Sequence, residues 1–149
     1  MIEAVDGLGA PQLPEPGHKI PAKYYGPFGK EALARYAAVS GDDNPIHLDV
    51  TAAASAGLSG TPVHGMLMLS CFELFLREWR PDHFIAGLSC KFLNPVFAGE
   101  TICISGRAVS RRDSPCPEAV LRVIAHGPDK KLAILGEAKV RRQTAGLPP

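Results

Sequence analysis

Residues 40–47 read S-G-D-D-N-P-I-H and set two acids, an amide, a proline and a histidine within eight positions. Two uses suit that set. Gly, Asp, Asn and Pro make turns, because they supply permissive backbone angles, a fixed φ and short side chains that bond nearby amides. A carboxylate near an imidazole also suits proton transfer, since reference pKa values of about 4 and about 6.5 leave an acceptor at neutral pH beside a ring that can change state. The stretch by itself permits both readings, and the elements around it must decide.

On its N-terminal side, K-E-A-L-A-R-Y-A-A-V puts Leu33, Tyr36 and Ala37 on one helical face, and that helix must stop at S-G-D-D-N-P. On its C-terminal side, Asp49 can cap a short run T-A-A-A-S-A that ends at Gly57. The segment T-P-V-H-G-M-L-M-L-S-C-F-E-L-F-L-R-E-W then begins with Thr61 as a cap and Pro62 at the first helical position, and it ends before Pro81. It is apolar nearly all round, which predicts a helix wrapped on several sides; Glu73 is its odd residue. From Phe84 onward the apolar positions recur every second residue. I-C-I-S-G-R-A-V sets Ile102, Ile104, Gly106 and Ala108 on one side, and Leu132, Ile134, Gly136, Ala138 and Val140 repeat the pattern. With F-I-A-G-L-S-C-K-F-L, A-V-L-R-V-I-A-H-G and a first strand around Lys19 to Tyr24, about five strands are expected. They form an antiparallel sheet curled round one long central helix, an α+β arrangement. Residues 1–18, rich in Gly and Pro, read as a flexible arm, 19–143 as one domain and 144–149 as a tail.

The bulk numbers narrow the class. A chain of 149 residues with 46% hydrophobic content can bury one core without staples. Sixteen Lys and Arg against 15 Asp and Glu leave a net charge of +1, which gives no long-range pull toward nucleic acid or an anionic membrane. The N-terminus carries acids where a secretory signal needs basic residues, and the most apolar segment, Val63 to Leu76, is too short for a bilayer and contains His64 and Glu73; the expected compartment is the cytoplasm. The four cysteines form no C-x-x-C pair and read as reduced thiols. There is no G-x-S-x-G, H-E-x-x-H or G-x-x-x-x-G-K. Cys–His nucleophilic catalysis stays open, although Cys71 in the apolar helix and Cys103 on an alternating strand suit packing. His18, His83 and His126 are scattered and read as solvated.

Three pieces, in order, form a larger pattern. Y-A-A-V-S-G-D-D-N-P-I-H-L-D has a Tyr ahead of S-G-D-x-N-P-x-H, with Ala52 to Ala54 where small residues are expected; T-P-V-H-G-M-L opens the long helix; K-F-L-N-P-V-F-A-G-E-T-I enters the sheet. On these motifs the chain, over roughly Phe28 to Val140, resembles the MaoC-like dehydratases, and among them the short stand-alone (R)-specific enoyl-CoA hydratases of the hot-dog fold. The resemblance implies a reversible syn addition of water to a trans-2-enoyl thioester. It selects Asp42 and His47 as catalytic residues on a segment overhanging the sheet, with Asp43 at the motif's variable position. It also implies substrate-binding roles for Asn44, the family's amide, and for Gly65, whose N–H receives the thioester oxygen. No metal and no redox cofactor is required, CoA or an acyl carrier enters only as part of the substrate, and a homodimer is expected.

The residues suit that chemistry. Hydration needs a proton taken from water as its oxygen nears Cβ and a proton delivered to Cα. Asp42 and His47 stand five residues apart with Pro45 stiffening the turn between them, so both can reach one water. Free N–H groups at a helix start, with the positive end of its dipole, suit the charge that gathers on the thioester oxygen. His64 reads as a packing and hydrogen-bonding residue there. Two other functions fit the same fold: an acyl-CoA thioesterase, and a non-catalytic acyl-thioester-binding subunit.

Overall fold

The computed structural model describes residues 12–143. In chain order its elements are β1 (Lys19–Tyr25), α1 (Lys30–Ser40), a 3₁₀ turn (Pro45–His47), α2 (Val50–Ser55), α3 (Gly65–Trp79), β2 (His83–Phe92), β3 (Ile102–Arg112), β4 (Glu118–His126), a second 3₁₀ turn (Pro128–Lys130) and β5 (Leu132–Arg142). The strands form one antiparallel sheet in the order β1-β3-β4-β5-β2. This is the expected α+β arrangement, five strands and one long helix in a hot-dog fold. Among the described residues, no helix is long and apolar enough to cross a membrane.

Alternation decides which side of the sheet meets the helix. Ile104 and Ala108 of β3, Leu121 and Val123 of β4, and Ile134, Ala138 and Val140 of β5 are buried, because residues two apart share a face. Onto that face α3 lays Met68, Phe72, Phe75 and Leu76, one stripe at helical spacing. The rings come close because glycines lie beneath them. A Cβ on Gly136 would stand 2.6 Å from Phe72 Cε2, and one on Gly106 would stand 3.3 Å from Phe75 Cε1.

The opposite side of α3 is not wrapped. Met66 is 58% exposed and Leu74 is also exposed, so the expectation of a helix covered on several sides holds for one face only. Five strands reach around one face and stop. Leu88 and Phe92 of the edge strand β2 stand opposite Ala138 and Ile134, in register with buried positions, yet both are exposed. Glu73 lies on the open side and pairs with Arg77 one turn later, 3.4 Å away.

Three further expectations are corrected. The long helix begins at Gly65, not at Thr61 and Pro62, because residues 61–63 pair with the segment before β3. Val63 N–H donates to Val96 O at 2.7 Å, Ala98 N–H donates to Thr61 O at 2.8 Å, and Pro62 bridges Phe97. Residues 12–18, placed in a loose arm by composition, are tied to the sheet: Leu13 is buried, Gly17 N–H donates to Ala108 O at 2.8 Å, and Arg111 pairs with Glu15. The rest of that arm and the tail at 144–149 lie outside the described residues. His83 is buried rather than solvated, with Nδ1 3.1 Å from Asp82 Oδ1, and burial pushes its pKa below the ordinary value.

Two outcomes test this packing. Gly136→Ala forces Phe72 or the β5 backbone to move and should destabilise the fold by about 1–3 kcal/mol, read as a lower urea midpoint at constant slope. The Arg80 guanidinium, bonded to both Asp82 carboxylate oxygens at 2.9 Å, holds that carboxyl below its ordinary value. The unfolded carboxyl titrates at about 4, so the stabilisation is full above that pH and is lost as pH falls through the lower folded value. Asp82→Asn should therefore flatten the acid limb of Tm against pH below about 4; an unchanged limb would assign it to other groups.

Candidate active site

The opening stretch turns out to be a turn and a place where reactive groups meet. α1 ends where Gly41 takes φ of 79°, a left-handed conformation that suits a residue without Cβ, and its N–H closes on Ala37 O at 3.0 Å. Asn44 Oδ1 then accepts Ile46 N–H at 3.2 Å, Pro45 opens the 3₁₀ turn, and His47 N–H donates to Asn44 O at 3.1 Å. Asp49 caps α2 as expected, accepting Thr51 N–H at 2.8 Å. Held this way, the segment carries Asp42 and His47 toward the start of α3.

His47 Nδ1 lies 2.7 Å from Pro62 O. A carbonyl only accepts, so Nδ1 carries the proton, and in the neutral ring the lone pair sits on Nε2. Nε2 lies 3.8 Å from Asp42 Oδ2, with the His47 side chain 13% exposed and that of Asp42 49% exposed. That gap is too long for a direct hydrogen bond, and in the neutral ring both atoms are acceptors. A gap of that length leaves room for one group about 2.8 Å from each atom that donates an O–H to both.

His64 lies beneath this pair. It is fully buried, its Nε2–H donates to the backbone O of Asp42 at 3.1 Å, its ring stacks on His47 with centroids 4.0 Å apart, and Tyr36 packs on it at 4.8 Å. Asp42, His47 and His64 each offer a ligand atom, all within 4.8 Å of one another. The rings stack at 23°, so their in-plane lone pairs run side by side instead of converging, which opposes joint ligation at the roughly 2.1 Å an imidazole–metal bond needs.

A cavity of about 460 Å³ opens beside the pair, with Asp42, Gly65, Met66, Phe92 and Leu93 in its wall. Among the described residues the Gly65 N–H has no hydrogen-bond partner, as expected of the first residue of α3. The Phe92 ring lies against it, since a Cβ on Gly65 would stand 2.9 Å from Phe92 Cε1. Asp42 and Gly65 thus share the cavity wall, whereas His47 lies outside that wall and meets Asp42 and the His64 ring beside it. Asn44 is exposed, its Oδ1 is engaged in the turn, and neither it nor Asp43 lies in the cavity wall. No cysteine lines the cavity, and burial pushes the Cys71 and Cys90 thiols up, which disfavours a nucleophilic thiolate.

Sequence reasoning missed the Pro62 carbonyl, the His64 contact with Asp42, and Phe92. The first two depend on long-range pairing. Phe92 carried a signal, since it lies within K-F-L-N-P, but nothing local tied it to Gly65.

The chain is similar to known proteins over most of its length. Residues 9–121 match the MaoC-like domain family. The (R)-specific enoyl-CoA hydratase of Aeromonas caviae is 35% identical over 117 residues, 76% of this chain and 86% of that protein. The mitochondrial 3-hydroxyacyl-[acyl-carrier-protein] dehydratase of Arabidopsis thaliana is 34% identical over 87 residues, 58% of this chain and 52% of that one. Among solved structures, the (R)-hydratase from A. caviae involved in PHA biosynthesis superposes with a TM-score of 0.81 at 32% identity, covering 89% of this chain and 100% of that one. A match across most of the chain, with the quoted motifs gathered at one cavity, means that this protein belongs to the MaoC-like dehydratase family.

Proposed function

We propose that the protein is an (R)-specific enoyl-thioester hydratase, a hydro-lyase that adds water reversibly to a trans-2-enoyl thioester, with CoA as the carrier. One observation carries the reading: the acceptors Asp42 Oδ2 and His47 Nε2 stand 3.8 Å apart, a gap one water can bridge, and Asp42 lines a cavity whose wall includes Gly65 at the start of α3. The similarity to the A. caviae enzyme supports it.

In this mechanism a water donates one O–H to each acceptor. As its oxygen bonds to Cβ, one proton passes to His47 Nε2, and the Asp42 carboxylate balances the charge of the imidazolium. The π electrons move toward the thioester, whose oxygen gathers negative charge and meets the Gly65 N–H, a donor worth about 3 kcal/mol in comparable oxyanion sites. His47 then returns the proton to Cα on the same face while the second water proton stays on the new hydroxyl. The addition is therefore syn, and the reverse sequence is dehydration. Only acid–base groups take part, so the reading needs no metal or redox cofactor. Asn44 supports the site by shaping the turn that carries His47.

The reading includes a homodimer. The open side of α3 and the exposed Leu88 and Phe92 on edge strand β2 form an apolar surface that a second copy would cover.

Purified protein given crotonyl-CoA should lower the absorbance of the conjugated thioester, and Asp42→Asn or His47→Ala should reduce kcat by at least about 10²-fold with the fold intact. No loss with short, medium or branched enoyl-CoAs removes the assignment, and release of free thiol instead would make the protein a thioesterase. Binding of the CoA ester without turnover would favour the non-catalytic subunit. Light scattering should give twice the monomer mass, and Leu88→Glu should shift it to the monomer; a monomeric wild type ends the dimer reading.

A further inference from the structure

The hydration reading uses Asp42, His47 and Gly65 but leaves unexplained the ring that touches two of them. His64 is fully buried, and among the described residues its Nδ1 has no hydrogen-bond partner. An unsatisfied buried nitrogen is unfavourable, so an apolar ring would fill this space with less strain on the fold. What an apolar ring lacks is the Nε2–H that reaches Asp42 O at 3.1 Å.

We propose that His64 is a positioning residue that sets the gap between the two acid–base groups, holding Asp42 by its backbone carbonyl and His47 by its ring face. The inference rests on the hydration reading above. Each tie has a separate geometric basis. The Asp42 side chain projects from an exposed segment; its N–H bonds Ser40 Oγ at 3.1 Å within that segment, and the contact from its carbonyl to His64 anchors it to the body of the protein. The Nδ1 bond of His47 to Pro62 O fixes one ring atom but leaves the ring free to tilt about it; stacking at 4.0 Å and 23° on His64 fixes the plane. Tyr36, on α1, packs on His64 at 4.8 Å, so the holding group is itself held. His64 also precedes Gly65 as the N-cap of α3, which links the water-binding pair to the oxyanion donor through one residue. The arrangement matters because small misplacement of reacting groups is enough to cost about 10²-fold in rate.

Two substitutions separate the ties. His64→Gln keeps a side-chain N–H but loses the ring, and His64→Phe keeps the ring but loses the N–H. With crotonyl-CoA, and with kcat expressed per folded molecule from near-UV circular dichroism, each should lower kcat by about 10- to 100-fold while KM stays within threefold. His64→Ala, which loses both ties, should be lower than either. The proposal is overturned if kcat per folded molecule stays within threefold of wild type in any of the three, if the loss lies in KM alone, or if it follows the unfolded fraction. An inert wild type removes the reaction itself, whereas an active wild type with active variants removes only this role.

Discussion

The bond from His47 Nδ1 to the Pro62 carbonyl exists because Pro62 is not helical. Had α3 begun at the Thr61–Pro62 signature, that carbonyl would have pointed along the helix toward the N–H of Met66. Pairing of Thr61 and Val63 with Ala98 and Val96 keeps the segment extended and leaves the carbonyl free. It fixes which imidazole nitrogen carries the proton, and so which one faces Asp42. Three stretches far apart in the chain meet here: S-G-D-D-N-P-I-H lies on T-P-V-H-G, which is bridged in turn to P-V-F-A.

The rest of the fold supplies a rigid base for that junction. Gly106 and Gly136 let Phe75 and Phe72 come down onto the sheet, so α3 is seated by its buried middle, and its first turn projects toward the overhanging segment.

Much of this was legible from local pattern. Period-two alternation gave the strands of the C-terminal half, Gly41 and the D-D-N-P turn gave the end of α1, and Asp49 gave the start of α2, because each depends on neighbours in sequence. The start of α3 was misplaced because Thr-Pro caps a helix and also suits an extended bridge, and only Val96 to Ala98, more than thirty residues on, distinguish the two. The apolar character of α3 implies cover on several sides, yet composition does not say whether the cover comes from the same chain. Motif resemblance points to Asp42, His47 and Gly65, and the fold adds the approach of His47 to Asp42 and the cavity wall shared by Asp42 and Gly65. The cavity and the place of Phe92 were not readable, since both arise where β2 meets α3.

That a backbone oxygen anchors His47 has a consequence for how this site can change. Side-chain substitution cannot delete a peptide carbonyl, so the tautomer is insulated from most point mutations. Of the cavity wall, Pro62 carries that carbonyl and Asp42 faces the imidazole, whereas Met66, Phe92 and Leu93 make no hydrogen bond to it among the described residues. Drift or deliberate redesign can remould the acyl-binding space while the proton-handling chemistry is inherited unaltered, a division of labour that favours diversification of substrate range within one catalytic scheme.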